Sequence, residues 1–321
     1  MEPKLSPVPN VAELPMPTKE SSPFLPGTKI QFAWDSTSLG WLKACPRQYQ
    51  YYMIEGWRPK GDQVNLTFGI YYHNSLEHYD RHRLAGMDHE NAVRYVVAEL
   101  MCDEAFFAWN PDHTSKNRFT LIRSIIWYLD EFEKDSLKTV VLANGKPAVE
   151  LSFRMELSWG PTGHLGESPY LLCGHLDRIV EFSGGTYGSD RKTTGTTISS
   201  SWFERFDLDN QMSLYTIAAS VIFHTPVKGI IIDGAQVAVG FTRFARGMTY
   251  RTPAQTSEWL GDLKYWLDQA VRFARADYWP MNEKSCFLCS FKKVCSRDPA
   301  VREMFLESDF ERKPWNPLAV R

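Results

Sequence analysis

Residues 171–194 read LLCGHLDRIVEFSGGTYGSDRKTT, two short strands joined by a turn at Ser183-Gly184-Gly185. The first strand carries Asp177 and the second carries Asp190-Arg191-Lys192. Strand side chains alternate between faces, so loop parity decides which of them meet. A two-residue loop at Gly184-Gly185 predicts Ser183 opposite Thr186 and Asp177 opposite Lys192. Asp190 then shares that face as a diagonal neighbour of Asp177. A four-residue loop keeps this pairing, and an odd-numbered loop separates the two aspartates. Two carboxylates and a lysine on one face suit a divalent cation held beside a water.

The rest of the chain sets the context. Its 321 residues suffice for one large domain or two modest ones. A hydrophobic fraction of 43% and a charged fraction of 23% are those of a globular protein. With no long apolar run and no signal-peptide pattern at the start, a cytoplasmic protein without membrane association is expected. The formal net charge of −2 neither marks nor excludes a nucleic-acid binder, since a local basic groove suffices.

Residues 1–29 hold seven prolines and no period, which suggests a flexible tail. Helical spacing begins at Ser36 through Leu39, Leu42 and Tyr49. It recurs over about 69–84, 88–109 and 116–139. After Asn144-Gly145-Lys146-Pro147 the texture turns strand-like, with Ala148–Trp159 alternating ahead of the hairpin. A helix over Leu208–Phe223, strands over Gly229–Val239 and Phe241–Arg251, and a helix over Ser257–Ala276 follow. Residues 297–321 suggest a charged tail. This order predicts an α/β protein with a helical N-terminal part, folded as one unit over 30–296.

Six cysteines without a secretory signal favour metal binding or buried thiols over disulfides. Cys286-x2-Cys289-x5-Cys295 clusters three thiols, and Cys45, followed by Pro46, is the best fourth ligand. Such a set would hold zinc or an iron–sulfur cluster, or be three buried thiols without any ligand. Cys102 and Cys173 lie in apolar stretches and are assigned to packing. Gly69-x3-His73-x3-Glu77 puts His73 and Glu77 one helical turn apart; an imidazole can ligate a cation, though most histidines are simply hydrogen-bonded. Gln211-x3-Tyr215 shares a helix face, with a core tyrosine beside an amide as the plain alternative.

In this order the motifs resemble the PD-(D/E)XK nuclease superfamily. They are most similar to its RecB-type branch with a four-cysteine iron–sulfur cluster, which includes the AddB nuclease domain, CRISPR-associated adaptation nucleases and phage exonucleases. The resemblance spans residues 45–295. It rests on Cys45-Pro46-x2-Tyr49, Gly69-x3-His73, Gly174-His175-Leu176-Asp177, Asp190-Arg191-Lys192-Thr193, Gln211-x3-Tyr215 and the last three cysteines. It implies a restriction-endonuclease-like core, a central mixed β-sheet flanked by helices, closed by the cluster.

By that resemblance His73, Asp177 and Asp190 would bind Mg²⁺ or Mn²⁺, with the Arg191 carbonyl. Lys192 would orient or activate water, and Gln211 and Tyr215 would support the site and contact DNA. Cys45, Cys286, Cys289 and Cys295 would hold a [4Fe–4S] cluster, with structural Zn²⁺ the alternative. Arg191 and Ser189 are more polar than the family pattern, which argues against a fully buried strand and would turn Arg191 toward the substrate backbone. Glu150 is either an outer acid or an exposed strand residue.

The implied activity is metal-dependent DNA hydrolysis, as an exonuclease on single strands or ends in recombination, repair, phage DNA processing or CRISPR adaptation. A catalytically silent nucleic-acid-binding or assembly module is the alternative. No G-x4-G-K-[ST] motif is present, so a helicase or recombination or adaptation partner would be a separate protein. Lys43, Arg47, Arg58 and Lys60 interleave with Trp41, Tyr49, Tyr51, Tyr52 and Trp57, and Lys284, Lys292, Lys293 and Arg297 flank the last cysteines. These groups would track a DNA backbone and stack on bases, or else form a solvated surface over an aromatic core.

Overall fold

The computed structural model describes residues 22–61, 63–161, 169–224 and 226–319, with the backbone of 5–6. Most of the tail expected at 1–29 lies outside the described residues. The chain, expected as one unit, gathers into two compact units. One comprises residues 62–151 and 175–251, the other residues 1–61, 152–174 and 252–321. Among the described residues no helix is long and apolar enough to cross a membrane.

The first of these units has helices α1 (Val64–Leu84), α2 (His89–Cys102) and α3 (Arg118–Glu131). It continues with strands β1 (Lys138–Thr139), β2 (Val149–Leu157), β3 (Leu171–Phe182) and β4 (Gly185–Thr194). Helices α4 (Ser200–Glu204) and α5 (Asn210–Ile222), then β5 (Ile230–Val237) and β6 (Thr242–Thr249), complete it. β2 and β3 each run on into the other unit. β3 pairs antiparallel with β4, β4 parallel with β5, and β5 antiparallel with β6, while β1 lies on the other edge of β3. The class is therefore the expected one, a central mixed sheet flanked by helices.

Sequence pattern explains the layers. All eight residues of β5 are buried, as a strand covered on both faces requires. Its Ala235 and Val237 join Phe68, Tyr72 and Leu76 of α1 and Leu121, Ile125 and Tyr128 of α3 in one core cluster. Those α1 positions recur at four-residue intervals and make a single apolar stripe. The helix predicted over 88–109 breaks at Asp103, whose side chain caps a new short helix by accepting from the Phe106 N–H. Helix α3 starts at an Asn117–Thr120 capping box, and α5 at Asp209, which accepts from the amides of Gln211 and Met212.

The β3–β4 turn differs from expectation by one position. Phe182 pairs with Gly185 and Glu181 with Thr186, so the loop is Ser183-Gly184. Both loop residues have positive φ, 46° and 70°, as a type I′ turn needs. Ser183 adopts the left-handed conformation that the sequence reading reserved for glycine. The loop is still even-numbered, so parity holds, but continuing this register brings Asp177 level with Asp190 rather than Lys192.

In the other unit, Ala33-Trp34 pairs parallel with Leu171-Leu172, and the helix Ser36–Ala44 ends at Cys45, which precedes Pro46. The tail expected at 297–321 instead contains a helix, Arg302–Asp309, and a strand, Phe310–Arg312, paired antiparallel with Trp57–Pro59. Leu306 and Phe310 pack with Tyr51, Trp57, Phe291 and Val294. That apolar spacing is too short for periodicity to detect.

Candidate active site

Asp177 and Asp190 are 8% and 1% exposed, buried carboxylates on adjacent strands. Asp177 Oδ2 accepts the Arg191 N–H at 2.9 Å, so the side chain of β3 replaces a backbone rung where the two strands part. The same oxygen lies 3.2 Å from His73 Nδ1, brought in by α1. Glu150, at the start of β2, has φ 47° and joins them. One ligand atom each of His73, Glu150 and Asp177 lies within 4.8 Å of the others. Glu150 is thus nearer the centre than either sequence reading placed it. The positive φ that aims it there leaves no trace in spacing.

Asp190 falls outside that group of three. Its Oδ2 lies 2.7 Å from Lys192 Nζ, and its buried Oδ1 has no hydrogen-bond partner. Two residues apart on one strand, they share a face, and the ammonium is the nearest compensating charge. Lys192 Nζ also donates to Gln211 Oε1 at 2.9 Å, and Gln211 Nε2 donates to Tyr215 Oη at 2.9 Å. Tyr215 is a buried core residue beside this amide.

Electrostatics separates the two aspartates. Burial alone would raise both carboxyls; at Asp177, His73, Lys192 and the Arg191 amide overcome it and hold the carboxyl well below the usual range. At Asp190 burial and the charge of Asp177 prevail over Lys192, pushing the carboxyl up to about 6. Burial works against a charged His73, but Asp177 raises it overall. Such divergence between neighbouring carboxyls is a common feature of reactive sites.

Arg191 departs from its expected role. It is 3% exposed, as is Ser189, so the strand is buried despite its polar residues. The Arg191 side chain turns away from Asp190 and Lys192 and pairs with Asp80 of α1 at 2.8 Å. Its guanidinium is buried rather than exposed at the surface.

Four of the five cysteines of the other unit, Cys45, Cys286, Cys289 and Cys295, line one small cavity with Asn282 and Phe291. The Asn282 amide donates to Cys45 Sγ at 3.3 Å. Burial and the neighbouring sulfurs Cys45 and Cys286 push the Cys289 thiol up, against the Phe291 amide. Burial also raises Cys295, against Arg47 and Arg302. Cys173 is buried beside Ala33 and Leu318, as expected, whereas Cys102 is exposed.

The expected stacking surface near Cys45 is largely interior. Tyr49, Tyr51 and Trp57 are buried, and Trp41 stacks on Tyr52 at 4.6 Å with Arg58 over both rings. Arg47, Arg58 and Lys60 donate to backbone carbonyls. Lys284, Lys292, Lys293 and Arg297 are exposed.

A sequence profile described as the PD-(D/E)XK nuclease superfamily matches residues 36–296. No curated protein matches the chain. Among solved structures, one described as SSO0001 is similar at 11% identity and TM-score 0.34, covering 83% of this chain and 86% of that one. Another, described as a candidate exonuclease from Eubacterium rectale, is similar at 10% identity and TM-score 0.48, covering 85% and 92%.

Proposed function

Since the chain belongs to the PD-(D/E)XK nuclease superfamily, we propose that it is a divalent-metal-dependent deoxyribonuclease acting as an exonuclease on single strands or ends. The observation that carries this reading is the convergence of His73, Glu150 and Asp177 on one point, with Asp190 and Lys192 beside it. One imidazole with carboxylate oxygens suits Mg²⁺ or Mn²⁺, and the unpartnered Asp190 Oδ1 is a ligand atom in waiting. His73, Asp177 and Asp190 would hold the ion, with Glu150 as an additional acid. The Arg191 amide is directed at Asp177, and in an extended residue the carbonyl points to the same side, where it would join them. A bound cation would supply Lewis acidity and ease deprotonation of water.

The chain's own residues do the rest. Lys192 places fixed positive charge where a phosphate would carry developing negative charge. Gln211 restrains that ammonium, and Tyr215 restrains Gln211. Exposed Lys284, Lys292, Lys293 and Arg297 would contact backbone phosphates, which predicts a steep loss of affinity with salt. The test is hydrolysis of 5′- and 3′-labelled single- and double-stranded DNA with Mn²⁺ or Mg²⁺ and with chelator. Absence of metal-dependent cleavage on all substrates would sink the reading in favour of a silent binding module.

Cys45, Cys286, Cys289 and Cys295, which line one small cavity, would hold a [4Fe–4S] cluster, with structural Zn²⁺ the alternative. Brown protein with absorption near ~400 nm, lost on Cys286→Ala, is expected. Colourless protein carrying stoichiometric zinc would refute the cluster.

A further inference from the structure

The face of β4 opposite Asp190 and Lys192 carries a buried ladder of charge. Arg191, Asp233 and Arg246 are lateral partners on β4, β5 and β6. Arg246 pairs with Asp233 at 3.0 Å and with Asp135 at 2.7 Å, while Arg178 of β3 lies 3.7 Å from Asp80 and 3.9 Å from Asp135. Asp80 closes the ladder with its 2.8 Å bond to Arg191, their side chains only 10% and 4% exposed. Three arginines thus meet three aspartates, and the Tyr128 hydroxyl donates to Asp233 at 2.5 Å.

Burying that many charges is an inefficient way to hold a sheet to a helix, because apolar residues of similar volume usually stabilise as well or better. What charged forks add is direction: a bond of fixed length and angle between two defined atoms. Its place here is informative. Asp80 lies seven residues from His73 on α1, two turns along nearly the same face. Arg191 sits between Asp190 and Lys192.

We propose that Asp80 and Arg191 are positioning residues that fix α1 against β4 and so set the spacing of His73 from Asp190, on which divalent-metal binding depends. This rests on the active-site reading above. Neither side chain touches the substrate or the cation; each acts through its neighbour. An apolar pair would keep the layers packed but leave the helix free to slide or rotate by a fraction of a turn.

The test compares wild type with Asp80→Asn/Arg191→Met, Asp80→Glu and Asp190→Ala in the full chain. It measures thermal melting, Mn²⁺ affinity by paramagnetic resonance titration, and kcat and KM on labelled single-stranded DNA. The double variant, with both charges removed together, is expected to melt close to wild type. It should bind Mn²⁺ about 10-fold or more weakly, as loss of an orienting partner typically does, and lose kcat with little change in KM. Asp80→Glu keeps the charge but lengthens the link, and is expected to weaken Mn²⁺ binding without a lower melting temperature. Should the double variant fail to fold, Asp80→Glu decides.

Wild-type Mn²⁺ affinity and kcat in the folded double variant or in Asp80→Glu overturn the proposal. If Asp190→Ala also binds Mn²⁺ like wild type, the active-site reading itself has failed and the proposal falls with it. If Asp190→Ala loses Mn²⁺ while the Asp80 and Arg191 variants keep it, only the positioning role is refuted.

Discussion

Gln211 Oε1 takes a 2.9 Å hydrogen bond from Lys192 Nζ, so the lysine beside Asp190 is held from α5 as well as from its own strand. Gln211→Ala removes that restraint and the hydrogen bond to Tyr215, without touching the carboxylates. The expected result is a fall in kcat of about 10-fold, equivalent to ~1.4 kcal/mol, with KM nearly unchanged. Steady-state kinetics on a labelled oligonucleotide would check it. A rise in KM alone would instead assign Gln211 to substrate binding.

The turn register gives a stability prediction. Ser183 holds φ 46°, a region where an L side chain costs roughly 1–2 kcal/mol. Ser183→Gly should therefore raise stability by about 1 kcal/mol, and Gly184→Ala, at φ 70°, should lower it by a similar amount. Urea midpoints of the two variants measure this directly. A loss of stability in Ser183→Gly would instead place the loop at Gly184-Gly185, since Gly184 lies in the loop in either register.

Asp135 supplies a pH signature away from the active site. Burial raises its carboxyl, but the bonds from Arg246 and the Leu137 amide, with the charge of Arg178, bring it below the ordinary value. A depressed folded pKa means stability that is present above the unfolded value, about 4, and lost as pH falls through the folded one. Asp135→Asn should cost about 2 kcal/mol at neutral pH. The gap from wild type should narrow in denaturant melts carried below pH 4. A gap that stays constant to pH 2 would contradict the linkage.

How much of this could be seen in the sequence depends on whether the deciding contact is local. Asp177, Asp190 and Lys192 were legible because strand alternation and loop parity are short-range, and both survived a one-position error in the turn. Cys45 joined Cys286, Cys289 and Cys295 through motif order, not spacing. Arg191 was misplaced because its partner, Asp80, is 111 residues distant and on a helix, so nothing near Arg191 announced a buried counter-charge. Glu150 was undervalued because a left-handed residue at a strand's start reverses the expected direction of its side chain. Tyr49, Tyr51 and Trp57 looked like a stacking surface because aromatic runs read alike inside and out.

The proposed function requires Asp177, Asp190, His73 and Lys192 to act together as a metal-dependent hydrolytic site. The most direct measurement is Mn²⁺-dependent cleavage of labelled single-stranded DNA by wild type and by Asp190→Ala of matched circular dichroism and melting temperature. Cleavage by wild type that chelator abolishes, with a loss of at least ~10²-fold in Asp190→Ala, is the predicted result. Equal cleavage by the two proteins would contradict it.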